Sequence, residues 1–307
     1  MTNYAGYMGK VIRLDLSSRS VSEYPWTDRD RQLYLGGKAM ASKIMYDNFT
    51  GSEKPLEPEN IIVISTGPLT GTGAPSSSRF NISTLSPQTG ITTSSNCGGN
   101  FGHYLKKAGY DALIIAGKCE KLTWVEIHND IIKFHDAEEL KGLCTTPTQE
   151  SIQQKLDEER GCKVKCGKVV IGPAGENLVK YASVFSNERA AGRAGVGCVF
   201  GSINLKGIAV SGTHEVSIYD PQKTHELFEK WVETLKKHPL TGNQLPKMGT
   251  AGLVTTMQMR GLLSTRNYAK GQFEDFELVN GETLAEDINI VNKGCLSCPM
   301  KLSLIHI

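Results

Sequence analysis

The sequence has no surplus of either charge. Its 34 Lys and Arg stand against 32 Asp and Glu, a net charge of +2 over 307 residues. Neither nucleic acid nor an anionic membrane is favoured as a partner by that balance. No apolar run approaches the roughly 20 residues of a membrane span. The opening Met1-Thr2-Asn3-Tyr4-Ala5-Gly6 lacks the basic and then apolar segments of an export signal. These absences together point to a cytoplasmic protein. No Gly-x-Gly-x-x-Gly follows a first strand and no Walker lysine motif occurs, so a nicotinamide or ATP site has no support. None of the seven histidines has a metal-like or triad-like neighbour, and no pair of carboxylates suggests acid–base work.

What is present is a chain 39% apolar, long enough for one large domain or two ordinary ones. Its 32 glycines imply many tight turns and close backbone approaches. Eight cysteines are scattered along a chain without an export signal, where thiols stay reduced. Cys97, Cys119, Cys144 and Cys198 read as small buried hydrophobes. Cys162 and Cys166 flank an alternating, strand-like segment, and a shared chemical task is weakly supported there.

Alternation predicts a strand over Lys10–Leu16, a return strand over Ser20–Tyr24 and a helical stretch over Thr27–Asn48 broken at Gly36-Gly37. Buried strands are expected at Asn60–Ser65, Tyr110–Ala116, Lys168–Ile171 and Gly207–Val210, with others at Arg79–Leu85, 122–128 and 131–135. Helices are expected at Phe101–Ala108 and Thr146–Arg160. After about residue 213 the pattern turns helical, at Pro221–His238 and Thr250–Arg260, with no convincing strand. An α+β fold follows, with a domain boundary near Gly212.

The chain also echoes itself. Cys97-Gly98-Gly99 precedes Phe101-Gly102 and the strand Leu113-Ile114-Ile115. Gly195-Val196-Gly197 precedes Phe200-Gly201 and the strand Ile208-Ala209-Val210. Upstream, strands run into Gly67-Pro68 and Gly172-Pro173. A unit used twice predicts a pseudo-two-fold domain. Two glycine-rich loops would then open two short helices, and helix N-termini attract anions. Two related anion sites suit a ligand, or a pair of ligands, with two phosphates.

Two segments carry chemical signals. Cys295-Leu296-Ser297-Cys298-Pro299 puts two thiols on one turn, a spacing that fits zinc, a redox dithiol or an iron–sulfur cluster. Two cysteines complete none of the metal sites. Asn187-Glu188-Arg189-Ala190-Ala191-Gly192-Arg193 sets two guanidinium groups among small residues. Such residues admit a ligand close to the backbone, and guanidinium forks hold phosphate or a polar heterocycle. Arg79 at the mouth of a strand and Asn96 before Gly98-Gly99 are weaker candidates.

In order along the chain, Gly67-Pro68-Leu69-Thr70-Gly71-Thr72, Ala74-Pro75 with Arg79, Asn96-Cys97-Gly98-Gly99 with Phe101-Gly102, Gly172-Pro173-Ala174-Gly175-Glu176-Asn177, Arg189-Ala190-Ala191-Gly192-Arg193 and Cys295-x-x-Cys298-Pro299 resemble the aldehyde ferredoxin oxidoreductase family. The resemblance implies a strand-rich, duplicated base supporting tungsten or molybdenum held by two pterins, beside a [4Fe–4S] cluster. It implies pterin contacts from Arg79, Asn96, Gly98, Arg189, Ala190, Gly192 and Arg193, with Arg79 between cluster and pterin. Cys295 and Cys298 would be cluster ligands. It further implies oxidation of an aldehyde to a carboxylate, ferredoxin or a related electron-transfer subunit as acceptor, and a homodimer as an assembly it allows. By the same resemblance the organisation is a cofactor base over 1–212 and an incomplete helical domain over 213–301. A degenerate, non-catalytic pterin-binding scaffold is the alternative.

One departure stands out. The family pattern continues to a third cysteine four residues after Cys298, where this sequence has Leu302. Residues 302–307 fit nothing in the family and look like translated sequencing adapter, so the natural gene is expected to continue past Lys301. The acid–base residues and the remaining cluster cysteines would then lie beyond residue 301. Resequencing the locus checks this: a cysteine codon is expected in place of Leu302, and a native stop after Ile307 would count against it.

Overall fold

Ile12, Leu14 and Leu16 are buried on one face of the first strand and its end, while the return leg is fully exposed, as an alternating segment followed by a polar one requires. The computed structural model, which describes residues 4–287, 290–301 and 303–306, builds two six-stranded sheets around this start. The first holds β1 (Val11–Asp15), β2 (Ser20–Glu23), β3 (Ile62–Ser65), β4 (Phe80–Leu85), β5 (Thr92–Cys97) and β6 (Ala112–Ala116), in the order β2-β1-β6-β3-β4-β5. The second holds β7 (Thr123–His128), β8 (Ile131–Asp136), β9 (Gly167–Val170), β10 (Val184–Ser186), β11 (Arg189–Ala191) and β12 (Leu205–Ser211). Its order, β8-β7-β12-β9-β10-β11, repeats the first sheet strand for strand.

Strand directions repeat as well. The first and sixth strands of each set pair in parallel, and every other pair is antiparallel. Helices occupy matching places. Between second and third strands lie α1 (Asp28–Tyr34) and α2 (Gly37–Asn48) in the first half, and α4 (Thr145–Arg160) in the second. Before the sixth strands lie α3 (Phe101–Lys107) and α6 (Val196–Ser202), while α5 (Pro173–Glu176) is a single turn. The expected duplication is therefore present.

The two halves close on each other by exchange. Helix α3 of the first half packs against β9 and β12 of the second, and α6 packs against β4 of the first. A single core results, in which Leu14, Phe80, Phe101 and Leu113 meet Val125, Val169, Phe200 and Ile208. The approach is close enough that a β-carbon at Gly167 would sit 2.5 Å from the Phe101 Cα, which explains a glycine inside a buried strand.

Two lysines are wholly buried in this unit. Lys106 pairs with Asp111, donates to the Gly6 carbonyl at 2.9 Å and lies over the Tyr7 ring. Asp111 also accepts from the Met8 and Gly9 amides at 3.0 and 2.9 Å, tying the amino-terminal segment to β6. Burial pulls the Lys106 ammonium below its ordinary pKa, and Asp111 opposes that pull. Lys206 pairs with Glu176 and donates to the Leu143 carbonyl at 3.0 Å.

The contact pattern separates residues 1–219 from 220–307. The second unit contains α7 (Pro221–Lys237), whose first turn is capped by the Asp220 carboxylate accepting from the Lys223 amide at 2.9 Å. It continues with α8 (Leu245–Met248), α9 (Val254–Met259) and α10 (Gly281–Asp287). No helix among the described residues is long and apolar enough to cross a membrane.

Some sequence expectations need correction. Strands β13 (Ile290–Lys293) and β14 (Ser303–His306) pair antiparallel after residue 213, where none was expected. The run Ile290-Val291-Asn292-Lys293 is short and not alternating, so only its pairing partner makes it a strand. Strand β5 has no counterpart among the expected strands, because Thr92 to Asn96 are all polar, as an edge strand tolerates. Cys144 is exposed rather than buried. Cys162 is exposed and Cys166 buried, so they share no task.

Glu126 gives this fold a defined acid response. Its carboxylate is 2% exposed and accepts from His135 Nε2 at 3.0 Å and from Arg160 at 2.8 Å. The His135 hydrogen bond, then that of Arg160, holds it below its ordinary pKa of 4.5. A carboxylate depressed in the folded state stabilises fully above its unfolded pKa, and that contribution disappears as pH falls through the folded value. Glu126→Gln should cost about 1–3 kcal/mol at neutral pH and flatten the loss of stability below pH 4.5. Urea unfolding at a series of pH values checks both.

Candidate functional site

The edge strands β5 and β11 lie against each other, so the outer strand of one sheet meets the outer strand of the other. The duplication fixes which residues correspond. Ser65 and Val170 each stand two residues before a Gly-Pro pair. Ser65 pairs with Asn81, which pairs with Asn96. Val170 pairs with Phe185, which pairs with Ala190. Asn96 and Ala190 are thus equivalent positions, and two residues further on so are Gly98 and Gly192. These four residues, singled out separately in the sequence, are two positions each used twice.

The remaining candidates cluster around the same edges. Phe80 and Cys97 are the last pair of the β4–β5 ladder, and Arg79 and Gly98 lie one residue beyond it. Arg189 begins β11 opposite Ser186. The Arg193 amide donates to Ser95 Oγ of β5 at 3.1 Å, joining the two halves at their rims. Asn96, Ala190, Gly192, Arg79 and Arg193 are exposed, Arg189 is half-buried and Gly98 is buried.

The loops cross over as the helices do. A β-carbon at Gly99, whose φ is +94°, would sit 2.9 Å from Ser186 Oγ in the β10–β11 turn. One at Gly195, with φ of +70°, would sit 2.7 Å from the Pro87 ring in the β4–β5 turn. Each glycine-rich loop is seated on the hairpin of the other half. Sequence reasoning found the glycines but not Ser95, whose place in an all-polar strand carried no signal.

The rim has the marks of a place built for a ligand. Neither the Arg79 nor the Arg193 guanidinium has a carboxylate partner among the described residues. Gly192 has no positive φ, and a β-carbon there would meet nothing nearer than Ser183 Oγ at 3.8 Å. The protein's own packing does not require a glycine at that position, whereas a ligand lying on the backbone would. Three buried polar atoms beside these residues lack a hydrogen-bond partner: Ser78 Oγ, Asn81 Oδ1 and Ser186 Oγ. Exposed cations, bare backbone and orphaned polar atoms fit a polar, anionic cofactor such as a pterin phosphate.

Sequence comparison agrees with that geometry. The family described as "Aldehyde ferredoxin oxidoreductase, N-terminal domain" matches residues 11–212. The one described as "Aldehyde ferredoxin oxidoreductase, domains 2 & 3" matches 226–302. The chain belongs to the aldehyde ferredoxin oxidoreductase family. It is 39% identical over 296 residues to the tungsten-containing aldehyde ferredoxin oxidoreductases of Pyrococcus furiosus and Thermococcus kodakarensis, covering 96% of this chain and 48% of each relative. The chain therefore spans about half the length of the curated relatives it matches. A solved structure, the active site complex BamBC of benzoyl coenzyme A reductase with 1,5 dienoyl-CoA, superposes with a TM-score of 0.84 at 30% identity. That match covers 99% of this chain and 47% of the other.

In the second unit, Cys295 and Cys298 are both half-exposed on one turn, closed by the Cys298 amide donating to the Cys295 carbonyl at 3.0 Å. Two thiols on one turn have the spacing of two iron–sulfur ligands. Among the described residues no group of three or more metal-binding side chains occurs. Position 302, where the family pattern has its third cysteine, lies outside the described residues.

The two kinds of glycine separate packing from binding. Gly192→Ala should change stability by less than about 0.5 kcal/mol yet weaken pterin retention. Gly99→Ala should lower stability by about 1–2 kcal/mol, because the left-handed backbone disfavours a side chain. Thermal melts, with pterin content measured after gel filtration, check the contrast.

Proposed function

We propose that this chain is the cofactor platform of a tungsten or molybdenum bis-pterin oxidoreductase that converts an aldehyde to a carboxylate. The observation that supports it best is the paired rim, where Arg79 and Arg193 stand beside the equivalent positions Asn96/Ala190 and Gly98/Gly192. In this reading residues 1–212 form the base, and 213–301 begin the helical domain that brings Cys295 and Cys298 to a [4Fe–4S] cluster.

The bound metal would supply the two-electron chemistry by which aldehyde and water become carboxylate, two electrons and protons. The residues of this chain hold and tune that cofactor. Arg189 and Arg193 neutralise phosphate charge through their guanidinium forks. Gly98 and Gly192 let the ligand lie on the backbone, and the Asn96 amide offers both donor and acceptor. Arg79 would favour the reduced, more negative state of a cofactor bound at the rim by its positive charge. Cys295 and Cys298 would hold two positions of a [4Fe–4S] cluster, which would supply one-electron transfer toward a ferredoxin acceptor.

The relatives bear on substrate choice. Those at 39% identity are named for aldehydes, and the solved relative is named for a benzoyl-CoA reductase. One base architecture thus accompanies two substrate classes, and the aldehyde reading follows the curated relatives.

The test is the full chain produced anaerobically with tungstate, then assayed for tungsten, molybdenum and pterin. Bound pterin is expected, with Arg79→Ala and Arg193→Ala each retaining it at least about fivefold less well, the loss of one charge-assisted hydrogen bond. A chain that never carries pterin would reject the platform. Because the described residues offer two of four cluster thiolates, the isolated chain is expected to reduce no viologen dye with any aldehyde.

A further inference from the structure

Helix α4 carries a buried amide that none of the rim chemistry uses. Gln149 is 7% exposed, and its side chain spans the two backbone groups of one residue. Its Oε1 accepts from the Asn187 amide at 2.7 Å, and its Nε2 donates to the Asn187 carbonyl at 3.1 Å. The same Nε2 donates to the Thr145 carbonyl at 3.2 Å, one turn back on α4. Asn187 has a φ of +54°, an uncommon backbone for a residue other than glycine. It is the first of the two residues that turn β10 into β11, and Arg189 follows directly after that turn.

This turn is also where the halves meet. Gly99 is seated on Ser186 and Asn187, with Asn187 Oδ1 3.3 Å from the place of a Gly99 β-carbon. A grip on Asn187 therefore sets two things together: the start of the strand bearing Arg189, Ala190 and Gly192, and the seat of the loop bearing Gly98. The first half solves the same problem with Asn60, which is 1% exposed. Its Oδ1 accepts from the Leu85 amide at 3.3 Å at the end of β4, and its Nδ2 donates to the Pro55 carbonyl at 2.7 Å. A buried amide thus anchors each hairpin, but only the one held by Gln149 leads straight into a cationic residue of the rim.

Resting on the platform reading above, we propose that Gln149 is a positioning residue for the cofactor: by clamping Asn187 it presents Arg189 and the Gly98 loop in register with each other. It touches no ligand. Its effect passes through the turn backbone, because Asn187 lies two residues before Arg189 and packs against the place of a Gly99 β-carbon, while the positive φ itself is the one a two-residue hairpin turn takes.

The variant Gln149→Met keeps the volume and removes all three hydrogen bonds. Gln153→Met, one turn further along α4, is the control. Its Nε2 donates to the Asp157 carboxylate at 2.8 Å and the Val164 carbonyl at 2.9 Å, and its Oε1 accepts from Cys166 Sγ at 3.3 Å and from the buried Lys168 ammonium, so it makes at least as many hydrogen bonds as Gln149 but none to the β10–β11 turn. The full chain, produced anaerobically with cofactor, is measured by amide hydrogen exchange and by the rate of pterin release. Q149M should exchange at least tenfold faster at residues 186–193 and 98–100 and release pterin at least tenfold faster, while Q153M does neither at matched thermal stability. Unchanged exchange in Q149M, or equal pterin release from both variants, overturns the role of Gln149. A wild-type chain that never holds pterin rejects the platform reading and this role with it. A loaded wild type with an unaffected Q149M rejects only the role.

Discussion

The exchange of α3 and α6 between the two halves is the contact from which the rest follows. Each half is a six-stranded sheet buried on both faces, on one by its own α2 or α4 and on the other in the core that the exchanged helices share. Because the helices cross, the loops that open them cross too, which seats Gly99 on the β10–β11 turn and Gly195 near Pro87. The edge strands β5 and β11 are then brought together, and the rim they form is a product of the core rather than an addition to it.

That dependence explains a division of labour among the glycines. Gly99, Gly167 and Gly195 are required by backbone approach within the protein. Gly192 is required by nothing in the protein itself. The same pattern applies to polar atoms. Lys106, Asp111 and Lys206 are buried and paired, Lys206 with the partly exposed Glu176, as stability demands. Ser78, Asn81 and Ser186 are buried with an atom unsatisfied beside the exposed Arg79, Asn96 and their neighbours.

Belonging to the aldehyde ferredoxin oxidoreductase family accounts for the duplicated base, since a cofactor with two similar pterin halves is suited to two similar rims. The pseudo-symmetry is not complete, however. Arg189 and Arg193 fall at positions where the first half has Ser95 and Gly99, and Arg79 falls where the second has Ser183. The cations therefore distinguish the two sides of a frame that is otherwise repeated, and Ser95 has become the acceptor for the Arg193 amide.

Much of this was legible in the residues. Alternation marked β1, β7 and β8, continuous apolar runs marked β6 and β12, and the Phe-Gly and Gly-Pro echoes announced the duplication, because local steric preference and burial period are written residue by residue. The ordered motifs also carried the family and the identity of each rim candidate. Strands β5 and β11 were not legible, since edge strands of polar or small residues owe their form to a neighbour's hydrogen bonds, and β10, three residues long, is too short to show a period. Nor was the equivalence of Asn96 with Ala190, which depends on ladder register, or the clamp of Gln149 on Asn187, 38 residues away. The sequence by itself determined the repeated unit and the chemistry of its loops. Only the tertiary structure decided which loops face each other, because that follows from which sheet each helix covers, and burial of an apolar face has no address in the local sequence.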